Sequence, residues 1–376
     1  MAGFVGFALN AAGVVGPMAL TAGLDKADRQ SDVNVVIILG TGGGPKVSTS
    51  GNIPHVAVWD DDGNRIGQYH PGKNQKFGKM DSTTIGINAY QNGGASTDPY
   101  YVMVSNLDND AICVASIAVS NEKISSTFFG DTGKMCGQSW FLSENKIGDN
   151  FYKPACVWLD ADHTNKINAR ALSFHLNDMA PDPDKINEYN QRPETLCQST
   201  PRFSFWGNML PDGIPPFFKP KLEYLVDADN ANGEGADKFP DRVIDKPHQY
   251  NKAVYIQQGE KAARAARNLR RSANATMSAN HNPEHLIITH HTEDNVREVC
   301  EHKNSYGWDI VSTVQNLYCD METKQLYQLC NGKDLKEDCF DMNSKTIVPK
   351  CGVNARDEVG SNIPVKAYTS EAHWQA

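Results

Sequence analysis

The sequence predicts a mainly β protein, in which an N-terminal β-sandwich, jelly-roll-like domain is followed by a small disulfide-rich β module at the C-terminal end. About ten short apolar runs, rich in β-branched and aromatic residues, recur at regular spacing between residues 33 and 206. Gly, Asp and Asn separate these runs, and no amphipathic helix of convincing length interrupts them. Five of the nine cysteines then fall in a span of about fifty residues, a density typical of small secreted modules.

Changes in composition divide the chain into five predicted segments. The first two are an apolar N-terminal segment and the β-sandwich. The other three are a Pro- and Gly-rich arm with a basic helix, a cysteine-rich β-hairpin module, and a polar, loosely held tail. Their boundaries are, in the same order, residues 1–32, 33–206, 207–271, 272–351 and 352–376.

The first 24 residues carry no charged side chain and are mostly small or apolar. One interpretation is a terminal segment that packs against the body of the protein or a neighbouring subunit. A second is a membrane-inserting segment, which would give the protein a membrane contact through residues 1–24. A third is a shortened signal peptide, although no Lys or Arg precedes the apolar run.

The predicted strands begin with Val33–Leu39, an apolar run typical of a strand buried on both faces. The glycine-rich run that follows has Pro45 at the third glycine position of a dinucleotide-binding loop, so a β-connection is predicted instead. Residues 55–69 predict a hairpin around the turn pair Asp62-Gly63. Further strands are predicted at Thr83–Ile87, Tyr100–Asn106, Ile112–Ser120, Thr127–Phe129, Ser139–Leu142, Ala155–Asp160, Ala171–Leu176 and Arg202–Trp206.

The character of the sequence changes after residue 206. Prolines and an acidic, glycine-rich stretch predict an extended arm. Residues 259–271 predict a helix with a basic face, which is either solvated or a docking helix for an acidic surface. Asn274 stands in an Asn-Ala-Thr tripeptide and is a predicted glycosylation acceptor.

The C-terminal part contains a repeat. The five residues that start at Asp320 (DMETK) are echoed by those that start at Asp341 (DMNSK), and Cys330 and Cys351 follow at the same offset. Each unit predicts a strand, a turn and a second strand that ends at a cysteine. Two such hairpins, joined by disulfides, would form a small β module.

The cysteines predict disulfides whose pairing the sequence leaves open, with one cysteine unpaired. None of them shows the C-x-x-C spacing of zinc ribbons or redox sites, although a reduced cytosolic chain remains the alternative. The nine are Cys113, Cys136, Cys156, Cys197, Cys300, Cys319, Cys330, Cys339 and Cys351.

Three Asp-rich turns follow apolar strands and are candidate calcium sites, because alternating oxygen ligands on a tight loop suit this cation. None of them completes an EF-hand loop. The alternative is that Asp and Asn bond to the local backbone, as they commonly do in turns. The candidate ligands are Asp60, Asp62, Asn64, Asp160, Asp162, Asp227, Asp229 and Asp237.

A candidate zinc site is the H-x-x-E-H motif formed by His281, Glu284 and His285. Such a motif binds zinc from one face of a helix, with the glutamate as general base. Pro283 and the strand-like residues after His285 argue against a helix here. Surface or strand histidines are therefore the preferred interpretation.

Carboxylates and tryptophans suggest two weaker hypotheses about function. Asp131 and Asp160 could form a pair for glycoside hydrolysis, since two distant carboxylates leave no spacing signature. Tryptophans in the predicted strands could form a sugar-binding platform, but a tryptophan in a strand is more often part of the core. The tryptophans concerned are Trp59, Trp140, Trp158 and Trp206.

The motifs GDTGKMCGQSW, CVWLDAD and YCDMETKQLYQLC resemble those of a group of secreted proteins of filamentous ascomycete fungi. The resemblance covers most of the chain from Val33 onwards. It implies an extracellular location and a fungal source, and it implies no activity.

These observations favour a secreted, extracellular, non-catalytic protein that recognises a surface, a glycan or another protein, or that associates with itself. The net charge of −9 argues against non-specific binding to nucleic acid. The alternatives are a metal-assisted or carboxylate-dependent hydrolase and a membrane-active toxin or effector that uses residues 1–24. Calcium is the one cofactor that the sequence suggests.

Overall fold

A computed structural model describes two compact units, one formed by its residues up to 242 and one by those from 284 onwards. The predictions for residues 1–24, the helix at 259–271, Asp227, Asp229, Asn274, His281 and Cys351 lie outside the described residues. The described residues are 31–40, 51–73, 75–77, 82–91, 93–94, 97–147, 152–163, 167–180, 183–210, 221–225, 237–242, 284–330, 337–349 and 364–375.

The described part of the first unit contains eleven strands in two antiparallel sheets. The strands are β1 (Val33–Leu39), β2 (His55–Trp59), β3 (Arg65–Tyr69), β4 (Ser82–Ile87), β5 (Tyr101–Ser105), β6 (Ile112–Ser120), β7 (Ser125–Phe129), β8 (Trp140–Phe141), β9 (Cys156–Leu159), β10 (Ala171–His175) and β11 (Phe203–Trp206). One sheet has the order β4-β1-β6-β9-β8, with β7 also paired to β6, and the other has the order β11-β10-β5-β2-β3. The prediction of a mainly β fold is confirmed.

Aromatic side chains join the two sheets. Phe128 of β7 stacks on Phe174 of β10 and on Phe203 of β11, with ring centroids 5.5 and 5.6 Å apart. Strands β2 and β5 are buried along their whole length, which explains why their sequences are almost continuously apolar. A core of large side chains therefore lies between the sheets, and it fixes the positions of the strand ends.

The first hairpin differs from its predicted turn. Strand β2 ends at Trp59 and β3 begins at Arg65, so the connection is longer than the pair Asp62-Gly63. The amide of Asp60 donates to the carbonyl of Asn64 at 2.9 Å, and Gly63 has a φ of 84°. This geometry is that of a three-residue loop whose last residue is left-handed, a position that glycine occupies without strain.

Short helices interrupt the strands, which the sequence did not predict. They are α1 (Gly130–Met135), a 3-10 turn (Leu176–Met179), α2 (Pro183–Gln191) and α3 (Pro193–Cys197). Both α2 and α3 begin with proline, whose fixed φ suits the first position of a helix. The four elements are too short for a clear amphipathic period, since the longest has nine residues.

Two stretches of the predicted arm belong to the first unit. Residues 221–225 and 237–242 approach each other through a bridge between Tyr224 and Asp237. The amide of Lys238 also donates to the carbonyl of Glu223 at 2.9 Å. These two stretches are called the 221–242 segment below, and its inward side chains reach the site described in the next subsection.

The described part of the second unit contains one seven-stranded mixed sheet and one helix. The strands are β12 (His285–Thr289), β13 (Asp309–Ser312), β14 (Leu317–Asp320), β15 (Gln325–Leu329), β16 (Cys339–Asp341), β17 (Thr346–Val348) and β18 (Ser370–Trp374), and the helix is α4 (Val296–Glu301). Their order is β17-β16-β15-β14-β13-β12-β18. Lys345, beside one edge strand, lies 3.5 Å from Glu371 of the other, so the sheet is strongly curled.

The predicted repeat is confirmed as two similar hairpins. The carboxylate of Asp320 accepts a hydrogen bond from the amide of Glu322 at 3.0 Å, and Asp341 accepts one from Asn343 at 3.1 Å. The fifth residue of each repeat is left-handed, with a φ of 60° at Lys324 and 56° at Lys345. Each Asp therefore closes its own turn through its side chain.

The C-terminal tail was expected to be loosely held, but its last described residues are anchored. Strand β18 pairs in parallel with β12, and Trp374 is fully buried. Ala372 and Trp374 face inwards while Glu371 and His373 are exposed. This short alternation inside a polar segment is the feature of the sequence from which the strand was predictable.

Eight of the nine cysteines form four disulfides, two in each unit, which confirms the prediction for these residues. The pairs are Cys113–Cys156, Cys136–Cys197, Cys300–Cys319 and Cys330–Cys339. Four disulfides indicate an oxidising environment, either extracellular or within the secretory pathway. Among the described residues, no helix has both the length and the apolar character needed to span a bilayer.

Candidate functional site

Among the described residues, the largest group of interacting titratable side chains lies at the end of β10, where the 221–242 segment meets the sandwich. Its members come from the 3-10 turn, α2, the start of β11 and the 221–242 segment, and all contribute to one hydrogen-bonded or charged network. We call it the Asp178 cluster, and it consists of His175, Asp178, Lys185, Tyr189, Arg202, Tyr224 and Asp237.

Asp178 is the centre of this network. Its Oδ2 lies 2.9 Å from Nδ1 of His175 and accepts a hydrogen bond from the Tyr224 hydroxyl at 2.7 Å. Its Oδ1 accepts a hydrogen bond from the hydroxyl of Tyr189. The side chain is fully shielded from solvent, with an exposed fraction of 0%. Both oxygens of a buried carboxylate are thus satisfied by protein groups.

Two cations complete the cluster. Nη2 of Arg202 lies 2.8 Å from Oδ1 of Asp237, and both side chains are about 99% buried, with 1% exposed in each case. Nζ of Lys185 donates to the carbonyl of Asn177 at 2.8 Å and lies 4.5 Å from the centre of the Tyr224 ring. The charges of the two cations offset those of the two buried carboxylates, as buried ionic groups require.

The electrostatic environment acts in opposite directions on the two carboxylates. Burial alone would raise the pKa of Asp178, but the hydrogen bond and charge of His175, with the charges of Arg202 and Lys185, hold it well below its ordinary value. Burial and the charge of Asp178 raise the pKa of Asp237. The same two causes raise the pKa of Tyr189 and Tyr224 well above the usual range. Asp178 is therefore ionised and both tyrosines are neutral.

The cluster is enclosed by aromatic rings. Tyr224 stacks on His175 with ring centroids 5.6 Å apart. The ring of Tyr101, on β5, has its centroid 4.8 Å from that of His175. His175 itself is 1% exposed. The arrangement contains groups that perform acid–base chemistry in other proteins, but here their polar atoms face one another. Its evident effect is to hold the 221–242 segment against the sandwich.

The first predicted calcium site is a hydrogen-bonded turn. The Oδ1 of Asp60 accepts hydrogen bonds from the amides of Asp62 and Asn64, at 3.0 and 2.8 Å. The Oδ2 of Asp60 accepts one from the side-chain amide of Asn64 at 3.2 Å. These contacts are those of the backbone-bonding alternative, in which the aspartate stabilises its own turn.

The other described calcium candidates are not brought together. Asp160 accepts a hydrogen bond from the amide of Asp162 at 3.4 Å in the turn after β9, whereas Asp237 pairs with Arg202 in the Asp178 cluster. Across the described residues, no group of three or more His, Cys, Asp or Glu side chains is arranged to hold a metal ion. Calcium binding stays a prediction.

The two described residues of the zinc motif lie at the start of β12. His285 is the first residue of this strand, is 1% exposed, and its Nδ1 lies 2.9 Å from Oγ of Ser370 on β18. Glu284 accepts a hydrogen bond from the hydroxyl of Thr369 at 3.0 Å. A strand places these neighbouring side chains on opposite faces, which does not suit a shared zinc site.

The candidate hydrolase carboxylates lie at opposite ends of β9. Asp131 accepts hydrogen bonds from the Tyr152 hydroxyl at 2.8 Å and from the amide of Ala155, which precedes the strand. Asp160 follows the strand, and five residues of extended chain span about 16 Å. This exceeds the roughly 5 to 9.5 Å between the carboxylates of glycosidases. Burial raises the pKa of Asp131, and its hydrogen bonds to Tyr152 and Ala155 with the charge of Lys134 act against this rise.

The tryptophans belong to the core, as the alternative interpretation expected. All six are buried, and none is more than 3% exposed. A sugar-binding platform of exposed tryptophan rings is therefore excluded. The chain matches no protein-family model, and comparisons with curated proteins and with solved structures find no match.

Proposed function

We propose that the chain is a secreted, non-catalytic protein that acts by binding to a protein surface or to a second copy of itself. The observation that carries this proposal is the enclosure of the Asp178 cluster. Its His, Asp and Tyr side chains are the strongest acid–base candidates in the described residues, yet they are bonded to one another, and all of them are buried except the half-buried Tyr224. A catalytic site needs such groups within hydrogen-bond reach of a substrate.

The surface favours a protein partner over a glycan. The tryptophan rings that would stack on sugars are buried. Large apolar side chains are nevertheless exposed in both units, and exposed aromatic and aliphatic side chains are common anchors of protein interfaces. They are Tyr90, Leu225 and Phe239 in the first unit and Val314 and Val365 in the second. The disulfides of each unit support a rigid extracellular framework that presents them.

The first experiment is sedimentation velocity on the oxidised full chain over a wide range of concentrations. The proposal expects the sedimentation coefficient to rise with concentration, and Phe239→Ser to reduce this rise because it removes a ring that is 48% exposed. Ser125→Ala, at an exposed position of β7, is the matched control and should leave the curve unchanged. A chain that stays monomeric and binds no protein surface in a panel of extracellular proteins would contradict the proposal.

The alternatives have separate tests. Hydrolysis of glycosides or esters by the purified chain, lost in Asp131→Asn, would establish the hydrolase instead. Leakage of liposomes by the full chain, lost on deletion of residues 1–24, would establish the membrane-active alternative.

A further inference from the structure

A second buried polar cluster lies in the second unit, where the C-terminal segment meets β13 and β14. Nζ of Lys366 lies 3.0 Å from Oδ2 of Asp309 and 2.8 Å from Oδ1 of Asp320. The three side chains are 5%, 1% and 0% exposed, respectively. A third carboxylate, that of Glu322, is 3.8 Å away but 67% exposed. A lysine amine is thus held in contact with two carboxylates from which water is excluded.

The two buried carboxylates differ in how they are held. Oδ2 of Asp309 also accepts hydrogen bonds from the hydroxyls of Tyr318 and Tyr368, at 3.2 and 2.6 Å, and its Oδ1 accepts one from the amide of Met321 at 2.7 Å. Both oxygens of this buried carboxylate are thus satisfied by protein groups.

Asp320 is satisfied on one oxygen only. Its Oδ1 accepts hydrogen bonds from Lys366 and from the amide of Glu322, at 2.8 and 3.0 Å. Its Oδ2 is buried with no hydrogen-bond partner in the described part of the chain. This position suits the carbonyl oxygen of a neutral amide, which costs less to bury without a donor than a carboxylate oxygen does.

We propose that Lys366 and Asp320 condense to form an intramolecular amide, an isopeptide bond that ties the C-terminal segment to β14. One proton passes from the Lys366 ammonium to Oδ1 of Asp320, the oxygen that it contacts at 2.8 Å. The neutral amine then attacks Cγ of Asp320, and Asp309 takes a second proton from the nitrogen and delivers it to the departing Oδ1. The Nζ–Cγ bond forms, the Cγ–Oδ1 bond breaks, one water molecule leaves, and Asp309 ends unchanged.

The surroundings favour this condensation without any co-reactant. Burial would lower the pKa of Lys366, but the two carboxylates raise it above its ordinary value, so the amine starts protonated and the proton transfer to Asp320 is the first step. Conversion to a neutral amide removes two charges from a dry site, where their desolvation is costly. Groups fixed in contact also react as if at an effective concentration of about 10⁵ to 10⁸ M.

Intact-mass spectrometry of the full chain, after reduction and denaturation, tests the bond. The expected mass is lower than that of the sequence by one water molecule, and tandem spectra should show a peptide with Lys366 joined to one with Asp320. Lys366→Arg keeps the charge but not the nucleophilic amine, so this variant should have its full sequence mass. Asp309→Ala should also prevent the loss, because it removes the proton carrier.

The matched control is Lys345→Arg, which alters a different lysine–carboxylate pair of the same sheet and should retain the loss of water. A wild-type chain with its full sequence mass would overturn the proposal, and this measurement needs no variant to fold. A loss of water that persists in Lys366→Arg would also overturn it, since the dehydration would then lie elsewhere.

Discussion

Asp178→Asn is expected to destabilise the first unit strongly. The substitution keeps the shape of the side chain but removes the charge that faces His175, Arg202 and Lys185. It also leaves fewer acceptors for the hydroxyls of Tyr189 and Tyr224. Removal of one partner from a buried charged network costs about 3 to 5 kcal/mol, because the other charges stay buried without compensation.

Guanidinium denaturation, with hydrogen exchange followed peptide by peptide, measures this cost and locates it. Exchange should accelerate in β10 and in the 221–242 segment, while β13 and β14 in the second unit should be unchanged. The control is Asp241→Asn, whose carboxylate is 74% exposed and pairs with a partly exposed Arg192. A solvent-exposed pair of this kind adds little to stability, so the control should unfold at nearly the same denaturant concentration as the wild type.

The effect should also depend on pH. The pKa of Asp178 is lower in the folded state than in the unfolded state. The charged carboxylate therefore contributes fully to the free energy of unfolding above the ordinary carboxyl pKa of about 3.9, and this contribution is lost as the pH falls through the folded-state pKa. The stability difference between wild type and Asp178→Asn should therefore be largest at neutral pH and narrow below about pH 4. An Asp178→Asn chain as stable as Asp241→Asn at pH 7 would refute the assigned role of the cluster.

Three further predictions follow from the same contacts. Removal of Cys136–Cys197 by paired Ser substitutions should cost about 4 kcal/mol in denaturant melts, and removal of Cys330–Cys339 about 2.5 kcal/mol. The costs differ because the loops that the two disulfides close span 61 and 9 residues. Equal costs would contradict this order. Gly130→Ala should lower the melting temperature sharply, because the added Cβ would lie 2.1 Å from the carbonyl oxygen of Ala155. The control Gly72→Ala should leave the melting temperature unchanged, because the atom nearest to its Cβ is 3.8 Å away. Absorbance titration should show that Tyr189, Tyr224, Tyr318 and Tyr368, whose pKa values are all raised, stay neutral at pH 10. Stability should fall above that pH by about 1.4 kcal/mol per pH unit for each, because only the unfolded state then releases these protons.

The strands were predictable from sequence because their signal is local. Ile112–Ser120 was predicted with the bounds that the structure shows, and the repeat at Asp320 and Asp341 gave both hairpins with their turns. Alternation, β-branched residues and turn residues act within a few positions of one another, so each strand carries its own signature. The pairing of the cysteines was not predictable in the same way, because it depends on which strands become neighbours.

The Asp178 cluster could not be found from sequence. Its members extend from His175 to Asp237, and none of them stands at a spacing that a motif would reveal. The predicted acidic arm contributed Asp237 as a calcium candidate, yet in the structure this carboxylate pairs with Arg202. One signal was present, since Arg202 precedes a strand in which three of four residues are aromatic, and a charged residue at such a position needs a buried partner.

The two buried polar clusters occupy equivalent places in their units. Each lies where a segment distant in sequence joins a sheet: Tyr224 meets Asp178 from 46 residues away, and Lys366 meets Asp320 from 46 residues away. A buried ion pair adds little net stability over apolar packing, but separating its partners is very costly. Such pairs therefore select one docked position for a segment whose own apolar surface is too small to define it. We infer that the polar residues of the 221–242 segment and of the C-terminal tail, which look like linker in the sequence, specify where these segments bind.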